Sequence, residues 1–182
     1  MSFINDMKNL KLQGTLVSIY TDRDDMDRFS CGYIEDIDDE FVYINHVTSS
    51  GENDGIVVRK NAEILKIEYE GEYERRIERL YKLKEQEHKK YLNSNSNCKI
   101  RSLLSYAKDN GLIITVAIGD SDEYTETTGL IEKLQEGKIF ISQISFYGES
   151  VGMSIIKEED IYKINCDTQD EEDILLLLKD SK

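Results

Sequence analysis

The stretch Gly55-Ile56-Val57-Val58-Arg59-Lys60-Asn61-Ala62-Glu63-Ile64-Leu65-Lys66-Ile67 returns 97 residues later as Gly152-Met153-Ser154-Ile155-Ile156-Lys157-Glu158-Glu159-Asp160-Ile161-Tyr162-Lys163-Ile164. The glycine, two lysines and two isoleucines are identical, and the apolar character between them is largely kept. Carried outward at the same offset, Lys11–Lys82 aligns with Lys108–Lys179 without a gap, and 18 of the 72 pairs are identical. Gly14/Gly111, Gly32/Gly129, Ile34/Ile131, Ile44/Ile141 and Gly51/Gly148 are among them. Unlike pairs such as Ile37/Leu134, Val42/Ile139, Tyr43/Phe140 and Val47/Ile144 stay apolar. A fixed long period of this kind marks a repeated structural unit. The chain therefore reads as two copies of one small domain, 1–92 and 98–182. The polar stretch 93–97, Asn-Ser-Asn-Ser-Asn, reads as the linker between them.

Each copy shows the same order of local signals. An amphipathic opening (Phe3, Ile4, Met7, Leu10; Ile100, Leu103, Leu104, Ala107) has helical spacing. Five strand-like runs follow. In the first copy they are Thr15–Tyr20, Cys31–Ile37, Phe41–Val47, Gly55–Arg59 and Glu63–Glu68. In the second they are Leu112–Ile118, Thr128–Leu134, Lys138–Ser145, Gly152–Ile156 and Asp160–Asn165. These runs are rich in Val, Ile, Tyr and Phe, and turn-prone residues separate them. A closing helix comes last, Glu72–Leu92 in the first copy. In the second, Thr168 and Glu171 make a capping-box pattern ahead of Ile174–Leu178. The expected class is mainly β with flanking helices (α+β). The even strand spacing predicts two tandem five-stranded small antiparallel barrels, each with a short opening helix and a closing helix.

Two segments carry a family resemblance. Gly32-x-Ile34-x-x-Ile37-Asp38 followed by Phe41, and then Val57–Ile67, resemble the two motifs of Sm-like barrels; Gly129–Leu134 and Ser154–Ile164 repeat the pattern. An SH3-like barrel fits nearly as well. The Sm-like resemblance implies an RNA pocket built on Asp38, Arg59 and Lys60. Val42 stands where that family's motif has Asn, and Lys60 where it has Gly. The second copy, with Gln135, Ile139, Ile156 and Lys157, keeps almost none of the pocket.

Charge argues against nucleic acid as the main partner. Lys and Arg number 23 against 37 Asp and Glu, a net charge of −14, whereas phosphate-backbone binding runs on clustered cations. With 39% hydrophobic residues the chain can bury a core. Met1–Leu10 lacks a signal-peptide pattern, and no apolar run approaches the roughly 18–20 residues of a membrane helix. Three widely spaced cysteines, Cys31, Cys98 and Cys166, make neither a disulfide framework nor a zinc motif. A cytoplasmic protein without a cofactor is the expectation.

Four groups of residues are candidates for chemistry or docking. Asp22, Asp24, Asp25 and Asp27 are weak candidates for a hard cation, but Met26 and Asp27 break the EF-hand spacing, and no metal site is assigned. Arg75, Arg76 and Arg79 lie in the densest basic segment, interleaved with glutamates. His46 and His88 have no nucleophile pattern beside them, and a pairing of Cys31 with His46 would require the fold to bring the two together. In Ile174–Leu178 five consecutive apolar residues cannot share one helix face, so either this helix packs internally between the two barrels, or Leu176 and Leu178 meet another chain in a homodimer. No catalytic motif occurs, and the chain is expected not to be an enzyme. The expected function is a non-catalytic binding or regulatory adaptor acting on a protein, one version being an acidic inhibitor of a basic partner. The alternatives are an Sm-like RNA binder and a small-molecule-sensing barrel.

Overall fold

The computed structural model describes residues 3–120 and 123–180, in two compact units, Met1–Lys89 and Lys90–Lys182. The first unit runs α1 (Ile4–Gln13), β1 (Leu16–Tyr20), β2 (Ser30–Ile37), β3 (Phe41–Val47), β4 (Asn53–Lys60), β5 (Lys66–Tyr69) and α2 (Glu72–Leu83). The second repeats that order as α3 (Lys99–Asp109), β6 (Ile113–Gly119), β7 (Tyr124–Gln135), β8 (Lys138–Ile144), β9 (Ser150–Lys157), β10 (Ile161–Cys166) and α4 (Gln169–Asp180). One 3-10 turn precedes the last strand of each unit, Asn61–Glu63 and Glu158–Asp160.

The strands do not close into barrels. Their order is β5-β1-β2-β3-β4 in the first unit and β10-β6-β7-β8-β9 in the second, every pairing within a unit being antiparallel. Within neither unit do the two outermost strands pair, so the sheet is open. This corrects the expectation of two closed five-stranded barrels. Strand count and spacing fix how many strands form. Closure also requires the shear and tilt that bring the first and last strands together, which alternation of apolar residues does not encode.

Both faces of the first unit's sheet are covered, and β1 shows why. Val17 and Ile19 pack into a core with Met7 and Leu10 of α1 and with Ile34, Ile37, Val42, Ile44, Val57 and Ile64. Leu16, on the opposite face, packs with Cys31, Val47 and, from α2, Ile77 and Tyr81. Alternate side chains of a strand point to opposite faces, so a strand between two helices is buried along its whole length, as β1 is. The second unit builds its α4-side core from Ile113, Ile144, Ile174 and Leu178, the residue-for-residue counterparts of Leu16, Val47, Ile77 and Tyr81.

The closing helices are seated by two further matched pairs. Gly51 and Gly148 have φ of +75° and +76°, a region that favours glycine. A Cβ would lie 2.5 Å from the Leu80 Cβ at the first and 2.6 Å from the Leu177 Cβ at the second. The strand-to-strand turn thus lets the helix lie directly on it. Beneath each helix lies a buried carboxylate. Glu74 accepts a hydrogen bond from Ser18 Oγ at 2.5 Å, and Glu171 one from Thr115 Oγ1 at 2.7 Å. Glu171 also accepts from the Thr168 backbone N–H at 3.3 Å and from its hydroxyl; the first is one half of the capping box expected from the sequence, while the hydroxyl donates to the carboxylate instead of accepting from the helix backbone.

The expected helix Glu72–Leu92 ends at Leu83. Beyond it Glu85 takes a left-handed φ of +52°, and the chain turns back over the sheet: Gln86 Oε1 accepts from the Asn53 backbone N–H at 3.0 Å. The 93–97 stretch is tied down within the second unit, where the Asn93 N–H donates to Ser102 Oγ at 2.7 Å. Just before it, Tyr91 is buried and its hydroxyl donates to Asp167 at 2.9 Å.

Candidate functional site

The residues of the expected RNA pocket are brought near one another and engaged within their own unit. Asp38 Oδ1 accepts from the backbone N–H groups of Glu40 and Phe41 at 2.9 and 2.7 Å, and Oδ2 accepts from the Tyr43 hydroxyl at 2.7 Å. This is the work of a turn-stabilising aspartate. Arg59 donates to the Val58 carbonyl at 2.9 Å, and Lys60 lies 3.7 Å from Glu40.

The acidic loop likewise bonds to itself. Asp22 Oδ1 accepts from the N–H groups of Asp24 and Asp25, and Asp25 Oδ1 from that of Asp27. Among the described residues no cluster of three or more His, Cys, Asp or Glu side chains could hold a metal ion. Cys31 and His46 do not meet across the sheet. The register sets Gly32 opposite His46, and Cys31 packs on Val47, which puts His46 on the other face. Burial pushes the Cys31 thiol up to about 12, leaving it a protonated core residue. His46 Nδ1 lies 2.7 Å from Asp54. His88 stacks on Tyr81 with ring centroids 4.9 Å apart, and burial lowers its pKa.

On α2, Arg75 donates to the Glu70 carbonyl and Arg76 to that of Ser49, while Arg79 is exposed. Leu176 and Leu178, the candidates for a homodimer contact, are set on different sides of α4. Leu178 is buried with Ile113 and Ile144, and Leu176 is exposed. The helix turns by about 100° per residue, so one member of the run faces the sheet and the other solvent. Leu178 is a core residue.

Of the cavities, one of about 540 Å³ is lined by Tyr20, Phe29, Tyr69, Tyr73, Glu68 and Glu72 among others. Two of its polar groups are paired with each other: Tyr20 donates to Glu68, and Lys66 lies 2.9 Å from Glu68 and 4.2 Å from the centre of the Tyr20 ring.

The strongest surface feature is one that the sequence reading missed. Phe146, Tyr147, Val151, Met153 and Ile155 are all exposed, on the turn after β8 and along β9. Met153 and Ile155 alternate, so they stand on one face of β9, and Val151 lies at the register shift just before them. Ile155 and Met153 are paired with Phe140 and Ser142 of β8. β9 ends the sheet of its unit, with β8 as its strand neighbour there. A long edge strand with an apolar face and little charge is a template for another chain. From Ser150 to Ile156 it carries no charged side chain. The signal available in the sequence was the change from Ser49-Ser50 in the first copy to Phe146-Tyr147 in the second, which places two large apolar residues in a turn.

No family model, curated protein or solved structure matches the chain. Among the described residues no helix is long and apolar enough to cross a membrane.

Proposed function

We propose that this chain is a non-catalytic protein-binding module whose docking surface is the β9 edge with the Phe146-Tyr147 turn. The observation that carries the reading is the run of exposed large apolar side chains on an edge strand that is uncharged from Ser150 to Ile156, in a chain otherwise rich in charge. Recognition at such an edge combines main-chain hydrogen bonds, which give affinity, with alternate side chains, which give selectivity. The net charge of −14 disfavours nucleic acid. RNA binding through Asp38, Arg59 and Lys60 receives less support, since Asp38 spends its oxygens on its own turn and Lys60 faces Glu40.

The test is capture from native cell extract by the tagged full chain, with captured proteins identified by mass spectrometry and the 260/280 nm absorbance ratio recorded. Protein captured by the wild type is expected to be lost with Ile155→Arg and retained with Leu176→Arg, a control of similar exposure on another surface. Capture of RNA that falls away as salt rises, and is unchanged by Ile155→Arg, would overturn the reading.

A further inference from the structure

Each unit has two outermost strands, and they are not equally buried. In β4, Ile56 and Val58 are both 0% exposed, whereas their counterparts in β9, Met153 and Ile155, are 59% and 63% exposed. The other outermost strands differ in the same sense: Cys166 of β10 is buried, and its counterpart Tyr69 of β5 is exposed. Thus β9 and β5 are the bare members of a repeated design whose other two members, β4 and β10, are buried. Resting on the docking surface proposed above, we infer that the occupant of the β9 edge is a second copy of this chain, which brings its β5 edge (Lys66–Tyr69) alongside β9.

Three observations point to a second copy rather than to an unrelated segment. The chain carries both bare edges itself, one in each unit, and each has a counterpart that is buried. Both edges expose apolar side chains, Tyr69 on one and Val151, Met153 and Ile155 on the other. The charges also permit the contact. Two chains of net charge −14 repel at long range, yet β9 is uncharged from Ser150 to Ile156, and on β5 Lys66 and Glu68 neutralise each other at 2.9 Å. The two edges are places where like-charged chains can touch without opposing carboxylates. Because the surfaces differ, the contact is head-to-tail, and a dimer formed this way still presents one free β9 and one free β5.

The experiment is light scattering coupled to size exclusion on the purified full chain, from about 1 to 100 µM, in 50 and 500 mM NaCl. The mass is expected to rise with concentration from the 21.1 kDa of one chain to more than two chains. High salt should strengthen assembly, because it screens the repulsion. Ile155→Arg and Tyr69→Arg, each verified as folded by circular dichroism, are each expected to be monomeric alone. Mixed one to one, they should form a complex of two chains and nothing larger, since only one intact β9 and one intact β5 remain. A monomeric wild type at every concentration and salt would overturn the inference. So would assembly that Ile155→Arg abolishes and Tyr69→Arg leaves intact, which would mean β9 pairing with β9. If the wild type is monomeric while protein capture from extract still depends on Ile155, the second-copy inference fails and the docking edge stands. If neither sizing nor capture responds to Ile155→Arg, both fail.

Discussion

β4 and β9 hold the same place in their units, between the same kinds of turn and at the same register against the preceding strand. Val58 faces Tyr43 as Ile155 faces Phe140, and Ile56 faces Asn45 as Met153 faces Ser142. In the first unit these side chains are buried, and in the second the pair on β9 stands in water. What the units share is scaffold: the glycine under each closing helix, the carboxylate beneath it, and the four core positions around it. Where they differ is in what lies over the far end of the same sheet face. The first unit continues past α2 with a segment whose Gln86 accepts from Asn53 at the start of β4. The difference teaches that apolar residues at 153 and 155 are not demanded by the repeat's own folding, which makes them available for contact with another chain.

The comparison is broken most severely at the positions where the units agree. A Cβ at Gly32 would lie 2.1 Å from the Asn45 carbonyl oxygen, and one at Gly129 would lie 2.0 Å from that of Ser142. Backbone blocks both, so relief requires prying β2 from β3 or β7 from β8. Gly32→Ala and Gly129→Ala should each cost on the order of 3–5 kcal/mol or prevent folding of their unit, read by urea unfolding. Near-neutral behaviour at either position would remove it from the shared scaffold. All stability measurements belong in an Ile155→Arg background, because assembly adds apparent stability by mass action.

Next come the two leucines that α4 separates. Leu178→Ala empties a place in the core beside Ile113, Ile144 and Ile174 and should cost about 2–4 kcal/mol. Leu176→Ala, at an exposed site, should stay within about 0.5 kcal/mol. Equal costs would show that α4 is rotated from the orientation described.

The buried carboxylate of Glu171 gives a smaller effect with a pH signature. Burial raises the Glu171 pKa, and hydrogen bonds from Thr168 and Thr115 only partly oppose it. An acid whose pKa is raised on folding binds its proton more tightly in the folded state. Its contribution is therefore full below the unfolded carboxylate pKa and is lost as pH rises through the folded one. Relative to Glu171→Gln, the wild type should lose stability as pH is raised from about 4 upward. An unchanging difference would place the Glu171 carboxyl in water. Glu171→Ala, which leaves two hydroxyls without their acceptor, should cost about 1–3 kcal/mol at any pH.

How much of this was legible follows from where the information sits. The strand positions and the Thr168–Glu171 contact are local patterns: Phe41–Val47 is read from its β-prone composition and the turn residues around it, and Thr168 with Glu171 from spacing alone. The open sheet is not local, because pairing of the first and last strands depends on twist accumulated over all five. The end of α2 was missed because Leu83 onward keeps helical spacing and paired charges, and the left-handed turn falls on Glu85 rather than on a glycine. Apart from the Phe146-Tyr147 turn, the exposure of β9 was hidden for a different reason. Apolar residues in a strand predict burial in general, and only the coordinates distinguish Ile155 from its counterpart Val58. The Asp38, Arg59 and Lys60 set was legible as positions but not as chemistry, since the hydrogen bonds of Asp38 come from backbone that a pattern does not display.

The smallest effect tests the repeat at a pair of identical residues with unlike partners. Lys66 lies 4.2 Å from the centre of the Tyr20 ring and 2.9 Å from Glu68. Lys163, its counterpart, lies 4.0 Å from the centre of the Tyr124 ring and 3.0 Å from Glu126. The rings come from different places in the two copies, β1 in one and β7 in the other, so the shared lysine has found an aromatic face and a carboxylate twice by different routes. Cation–π contacts and ion pairs at accessible sites are worth about 0.5–1 kcal/mol, more when water is excluded. The Lys163 side chain is 22% exposed against 44% for Lys66, so Lys163→Gln should cost more than Lys66→Gln. Salt separates the two components, because added NaCl screens the exposed Lys66–Glu68 attraction more than the less accessible one. The cost of Lys66→Gln should shrink between 50 and 500 mM NaCl, and that of Lys163→Gln should persist. The reverse order would mean that exposure does not govern these contacts, and the pair would then count as a coincidence of sequence rather than as a shared device of the two units.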